Sequence, residues 1–275
     1  MKKILVPIDF SEKSEFAINL AAKINEKTDC EIHVIHLVEL PENVIDMIAG
    51  SINSIPERML YLRKIRSRLL DYIKKSFPDD DTIRYSIRVK NPYQGIIDYS
   101  KKINADLIIM GSKGISDFDE IMIGSNTEKV VRTSVIPVLV VKTSITKFNF
   151  NTIAYASNFK EDNKQVFQKF LDFSEELGST IKFVKINTPS KFESSSKTKN
   201  QIQQFLDGYS LPKHSIHVYN DTSVENGILN FAEEIDADLI AINTHGRSGL
   251  SQFFNGSVFK SIAKNALKPI ITFKI

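Results

Sequence analysis

Gly111, Gly114, Gly124 and Ser125 stand in the order G-x2-G-x9-G-S in this 275-residue chain. Glycines let a backbone turn with positive φ and approach an anion with no Cβ in the way. Gly124 and Ser125 open a segment of helical pattern, whose free N–H groups and positive dipole end suit a phosphate. The hydroxyl of Ser125 adds a donor. Upstream, Asp9 closes one short apolar run, and Leu37 and Val38 close another.

These residues need strands and helices to bring them together, and the chain supplies them twice. Residues 3–11 read KILVPIDFS and 152–160 read TIAYASNFK. Residues 105–114 read ADLIIMGSKG and 237–246 read ADLIAINTHG. The pairs Gly124-Ser125 and Gly256-Ser257 follow at the same offset, and IPVLVVK at 136–142 matches KPIITFK at 268–274. Four matches in one order make an internal duplication. The expected domains are 1–144 and 150–275, packed against each other across a short linker.

Within the first half, apolar runs at 4–8, 31–38, 82–89, 107–110 and 138–141 read as strands. Helical spacing recurs after Ser11 and at 55–77, 93–103 and 126–133. The order is βαβαβαβαβ, and the second half repeats it. Near-continuous apolar strands separated by helices predict an α/β fold: two tandem open sheets, each of five parallel strands with helices on both faces. In such sheets a ligand sits outside the carboxyl ends of the strands, where the winding order reverses. Asp9, Leu37 and the glycine loop all fall there. Residues 40–55 are read as broken, with room for a short helix. The Ser- and Lys-rich stretch 190–199 is read as a surface loop.

GSKG-x9-GS after the fourth strand, with KILVPIDFS at the start and PVLVVK at the end, resembles the universal stress protein family, twice over the chain. The resemblance implies a Rossmann-like domain of the adenine nucleotide alpha hydrolase type. It implies ATP as ligand, with or without Mg²⁺, in a stress-response or regulatory protein. Asp9 and Leu37, beside Pro7, would face adenosine. Gly111, Gly114, Gly124, Ser125 and Asn126 would line the ribose–phosphate path. It also implies that the last strands, 138–141 and 270–275, meet across a two-fold axis, giving an intramolecular pseudo-dimer and leaving room for a homodimer.

The second half departs from the pattern. Ala156 replaces Pro7, Asn158 replaces Asp9 and Asn243 replaces Gly111, while Gly246, Gly256 and Ser257 remain. An amide at Asn158 removes a charged acceptor, although Asn tolerates left-handed backbone at Asn243. A second nucleotide site would use Asn158, Asn243, Gly246, Gly256 and Ser257. Charge runs the other way. The first loop carries Lys113 against Asp117, Asp119 and Glu120, a net of −2; the second carries Arg247 and no acid, a net of +1.

Other features have plainer readings. His33 and His36 share a strand, so at most one is expected to face the core, with no metal site. His245 and Lys113 sit in the two loops, where each could touch an anion. Arg63, Lys64, Arg66 and Arg68 read as a solvated helix face. Cys30 is the only cysteine, which excludes an internal disulfide and fits a reducing compartment. Net charge is +3 without a basic stripe, which argues against a nucleic-acid reader. No apolar run is long enough for a signal or a membrane span, so the expected location is cytoplasmic. No paired acid and base and no Walker, G-x-G-x-x-G, H-E-x-x-H or G-x-S-x-G motif is present, so at most slow hydrolysis is expected. The alternative reading is a non-nucleotide interaction or adaptor module on the same fold.

Overall fold

The structure is a computed structural model that describes residues 1–39, 54–78, 83–113, 123–144, 149–159, 164–244 and 256–274. The expected short helix within 40–55 lies almost wholly outside them. The first half contains β1 (Lys3–Ile8), α1 (Glu12–Thr28), β2 (Glu31–Val38), α2 (Ser54–Ser76), β3 (Arg84–Val89), α3 (Pro92–Ile103), β4 (Leu107–Gly111), α4 (Ser125–Thr133) and β5 (Val138–Val141). The second contains β6 (Thr152–Ala156), α5 (Lys164–Glu176), β7 (Thr180–Asn187), α6 (Ser195–Leu206), β8 (His214–Asn220), α7 (Val224–Glu234), β9 (Leu239–Thr244), α8 (Gly256–Asn265) and β10 (Ile270–Lys274).

Both halves wind alike. The strand order is β3-β2-β1-β4-β5 in the first and, read from its edge, β8-β7-β6-β9-β10 in the second. Pairing within each half is parallel. Chain order reverses between β1 and β4, and between β6 and β9, so each half has one crevice of the kind that binds ligands. The halves share a single ten-stranded sheet, because β5 and β10 pair antiparallel, Leu139 opposite Ile271. That seam covers two apolar strands that would otherwise be open edges. Ties beside it include Lys260 to Glu128 at 3.3 Å and Lys274 Nζ to the Thr133 carbonyl at 3.1 Å.

Period-two alternation places the core. Ile4, Val6, Leu107 and Ile109 point to the face under α1, and Leu5, Ile108 and Met110 to the opposite one. Both faces are covered, so the strands are apolar throughout. Each fully buried Val, Leu or Ile contributes roughly 1.5–3 kcal/mol relative to exposure. In the second half the first of these faces is aromatic: Tyr155, Phe167, Phe170 and Phe183 are all fully buried.

Stretch 190–199 is a correction. A 3₁₀ turn spans Pro189–Lys191, and α6 begins at Ser195 with the Ser194 hydroxyl accepting from the Lys197 N–H. Thr198, Ile202, Phe205 and Leu206 are its buried face. The serines that suggested a loop are the cap and first turn of a helix. Of the two histidines on β2 only His33 is buried, in line with the expectation that at most one faces the core, and His36 is half-buried. His33 packs against Tyr99, and His36 lies on the Phe10 ring.

Candidate functional site

The first crevice is built from a strained turn. After β1, Phe10 adopts φ 65°, a left-handed conformation that costs a bulky side chain about 1–3 kcal/mol. Asp9 and Ser11 hold it. Asp9 Oδ1 accepts from the Ser11 N–H at 3.0 Å and from its hydroxyl at 2.6 Å. Ser11 Oγ in turn accepts from the Ser14 N–H at 3.1 Å and caps α1. Around the Phe10 ring stand His36 at 4.5 Å, Tyr72 at 5.7 Å and the Arg68 guanidinium at 4.3 Å. Tyr72 Oη donates to the Ser11 carbonyl at 3.1 Å, and His36 Nδ1 lies 2.7 Å from the Ile8 carbonyl. Burial pushes the Tyr72 hydroxyl up to about 12. Burial also holds His36 below its ordinary value, against the opposing pull of the Ile8 carbonyl and Asp9. The turn is therefore clamped by a neutral histidine and a neutral tyrosine.

Gly111 ends β4 on the other side of the crevice. A Cβ there would lie 2.6 Å from the Lys13 carbonyl carbon and 2.7 Å from its oxygen. Glycine is needed because α1 packs directly on it, and Gly111 is not among the described glycines with positive φ. The Gly111 carbonyl accepts from Thr127 Oγ1 at 2.9 Å, which fixes the start of α4.

Gly124 N-caps α4 at φ −61°, ψ 142°, an extended conformation open to any residue. Its N–H donates to the Ser112 carbonyl at 2.8 Å and so closes the base of the loop. The expectation of positive φ is corrected here too. No side chain caps α4, whereas Ser11, Asn91, Ser194 and Ser223 cap α1, α3, α6 and α7. An uncapped helix start leaves backbone N–H groups for an anion.

The structure brings these parts into one cavity of about 290 Å³. Of the residues expected for the first site, Pro7, Asp9, Leu37, Gly111, Gly124, Ser125 and Asn126 all line it. Gly114, and the acids Asp117, Asp119 and Glu120, lie outside the described residues. The sequence reading missed Pro92 and Ile96, which add the first turn of α3 to the wall, and Glu39 and Thr127. The Asn91 cap followed by Pro92 signalled that helix start. Inside α3, a Cβ on Gly95 would lie 2.4 Å from Leu37, so this glycine lets Leu37 lie beneath the helix.

A sequence model described as the universal stress protein family matches residues 1–142 and again 149–274. The chain belongs to the universal stress protein family. Two universal stress proteins of Methanocaldococcus jannaschii are each 31% identical to it, over 156 and 142 residues. Those alignments take in 51% of this chain, and 94% and 82% of the relatives. A crystal structure of a universal stress protein from Archaeoglobus fulgidus superposes at TM-score 0.71 and 20% identity, covering 99% of this chain and 98% of that one. That likeness concerns the fold.

The second crevice differs from the first. It is larger, about 430 Å³, and of the residues expected there it includes Asn158. Asn243 is fully buried instead, and its Nδ2 donates to Tyr155 Oη at 2.9 Å. This asparagine belongs to the core rather than the crevice, because Tyr155 stands in the place of Val6 and brings a phenol that needs a partner. Gly256 opens α8 with Ser257 behind it, and Gly246 and His245 lie outside the described residues. The left-handed turn persists, with Phe159 at φ 54° where Phe10 stands. Among the described residues no helix can cross a membrane and no group of His, Cys, Asp or Glu could hold a metal ion.

Proposed function

We propose that this universal stress protein binds an adenine nucleotide, ATP, in the crevice of its first half and acts as a stress-response or regulatory protein. One observation carries the reading: Asp9, Leu37, Gly111 and the uncapped start of α4 line one crevice where the strand order reverses. The apolar wall of Ile35, Leu37 and Ile96 suits a base, and the Asp9 carboxylate suits ribose hydroxyls. Phosphates then run toward Ser125 and Asn126 at the helix start, where the dipole and free N–H groups favour negative charge. The cavity is at the small end of ligand sites, which span roughly 300–1,000 Å³, so the triphosphate extends along α4 toward solvent.

The acid–base groups among the described lining residues are Asp9, Glu39 and Lys113, and Asp9 is engaged by Ser11. That supports a binding role with hydrolysis slow at most, with or without Mg²⁺. We also read the halves as an intramolecular pseudo-dimer, on the support of the antiparallel β5–β10 seam, and the protein as cytoplasmic. Nucleotide that binds only the folded state stabilises it by mass action. ATP should therefore raise the melting temperature of the intact chain in a dose-dependent way. No shift across the millimolar range would count against the reading.

A further inference from the structure

The second crevice occupies the same place in its half as the first, but its charges are arranged differently. We propose that it is a separate site for a small amphipathic anion, an apolar body carrying one carboxylate or sulfonate, and not a second nucleotide site. The inference goes beyond the ATP reading and does not depend on it.

The floor and far wall are apolar: Ala156, Val184, Ile186, Val224 and Ile228. Gly227 keeps that wall close, since a Cβ on it would lie 2.5 Å from Ile186. Phe192 lines the mouth and is 71% exposed, so an apolar body entering the crevice covers a phenyl ring that water now surrounds. The volume of about 430 Å³ falls within the range of small-molecule sites.

Among the described lining residues the charged groups cluster on the β7 side, while Ser157 and Asn158 add uncharged polar groups at the end of β6. Among the described lining residues, Lys185, Lys191 and Lys197 stand with one acid, Glu193, an excess of two positive charges. Lys185 stands where the first half has His36, and its side chain is only 16% exposed. It holds Glu193 at 2.5 Å and Gln201 Oε1 at 2.7 Å, while Lys197 reaches Glu193 at 3.1 Å. Gln201 Nε2 donates to the Asn158 carbonyl at 3.2 Å. These cations sit on β7, in the 3₁₀ turn that follows it and at the start of α6. In the first crevice Gly124, Ser125, Asn126 and Thr127 at the start of α4 are part of the lining; Val258 and Phe259, which stand in the places of Asn126 and Thr127, are buried and do not line the second. Among the described residues, the counter-charge that a ligand meets lies beside β7. One negative head on an apolar body fits that layout.

The test is a fluorescence titration of the intact chain with anilinonaphthalene sulfonate, with and without saturating ATP, followed by displacement with dodecanoate, dodecanol or dodecyltrimethylammonium. The expected result is saturable binding that dodecanoate displaces better than either of the other two, unchanged by ATP. Filling the crevice with Ile228→Trp should weaken the dye about tenfold, and Ile96→Trp in the first crevice should leave it unchanged. Lys185→Met should weaken dye and dodecanoate about fivefold while sparing dodecanol. Because Lys185 also ties β7 to α6, the exposed Lys197→Gln is a second variant, expected to act in the same direction about twofold. Displacement of the dye by ATP would overturn the proposal in favour of a nucleotide there. Absence of saturable binding, or affinity indifferent to Ile228→Trp, would overturn it outright. Failure of ATP to bind anywhere would sink the first-crevice reading and leave these results standing.

Discussion

The hydroxyl of Tyr72, on α2, donates to the carbonyl oxygen of Ser11 at 3.1 Å, and so one helix holds the turn that presents Asp9. Tyr72 Oη also lies 3.0 Å from Ser14 Oγ, and the Tyr72 ring meets Phe10 edge-on. Tyr72→Phe keeps the ring and removes the hydrogen bonds. It should cost about 1 kcal/mol of stability, since Ser14 Oγ still donates to Ser11. ATP affinity should fall as well, because the Asp9–Ser11 turn loses its outer support. Urea melts and ATP titration of the variant check both effects.

Asn243 and Tyr155 should behave as a pair. Asn243→Gly restores the residue type found at Gly111, yet it strips the buried Tyr155 hydroxyl of a donor. The loss should be about 1–3 kcal/mol, with no gain of nucleotide binding in the second half. Tyr155→Phe in the same background should recover part of it, and a double-mutant cycle measures the coupling. Additive effects would mean that their hydrogen bond carries no net energy.

Much of this was legible in the amino-acid sequence, for identifiable reasons. The duplication and the alternation of strands and helices follow from repeated segments and apolar periodicity, while the roles of the crevice residues came with the resemblance to the family. Gly111 was found for an incomplete reason: loop geometry suggested positive φ, while the requirement comes from Lys13 on a helix nearly a hundred residues away. Asn243 looked like a tolerated loop residue because its partner, Tyr155, lies 88 positions upstream. The start of α6 was hidden by composition, although Thr198, Ile202, Phe205 and Leu206 already carried helical spacing. Cavity size was not legible at all, since it depends on how α6 and its preceding turn sit over β7.

Acid should destabilise the fold through its histidines. Burial holds His33, His36 and His217 below their ordinary value of 6.5. The unfolded chain then binds more protons than the folded one as pH drops past that value, so stability falls with pH in that window. Melting temperature should decrease as pH falls through about 6.5 toward 5, and His36→Gln should flatten part of the slope. A rising melting temperature over that range would contradict the sign.

Asp117, Asp119 and Glu120 lie in the loop that Ser112 and Gly124 close. Neutralising all three as Asn, Asn and Gln should tighten ATP by roughly 0.5–1.5 kcal/mol at low salt and less at high salt. Adenosine should be unaffected, having no phosphate to repel. Loss of ATP with adenosine retained would instead mean that the acids hold Mg²⁺ for the phosphates.

Isothermal titration of ATP into the intact chain, beside Gly124→Val and Ile228→Trp, is the most direct measurement. Gly124 has φ −61°, which Val adopts without strain, so the variant should fold and act on the approach to the anion alone. The account predicts one ATP per chain, affinity weakened about tenfold (about 1.4 kcal/mol) by Gly124→Val, and no change from Ile228→Trp. Binding that ignores Gly124→Val but is lost with Ile228→Trp, or no ATP binding by folded protein, would contradict it.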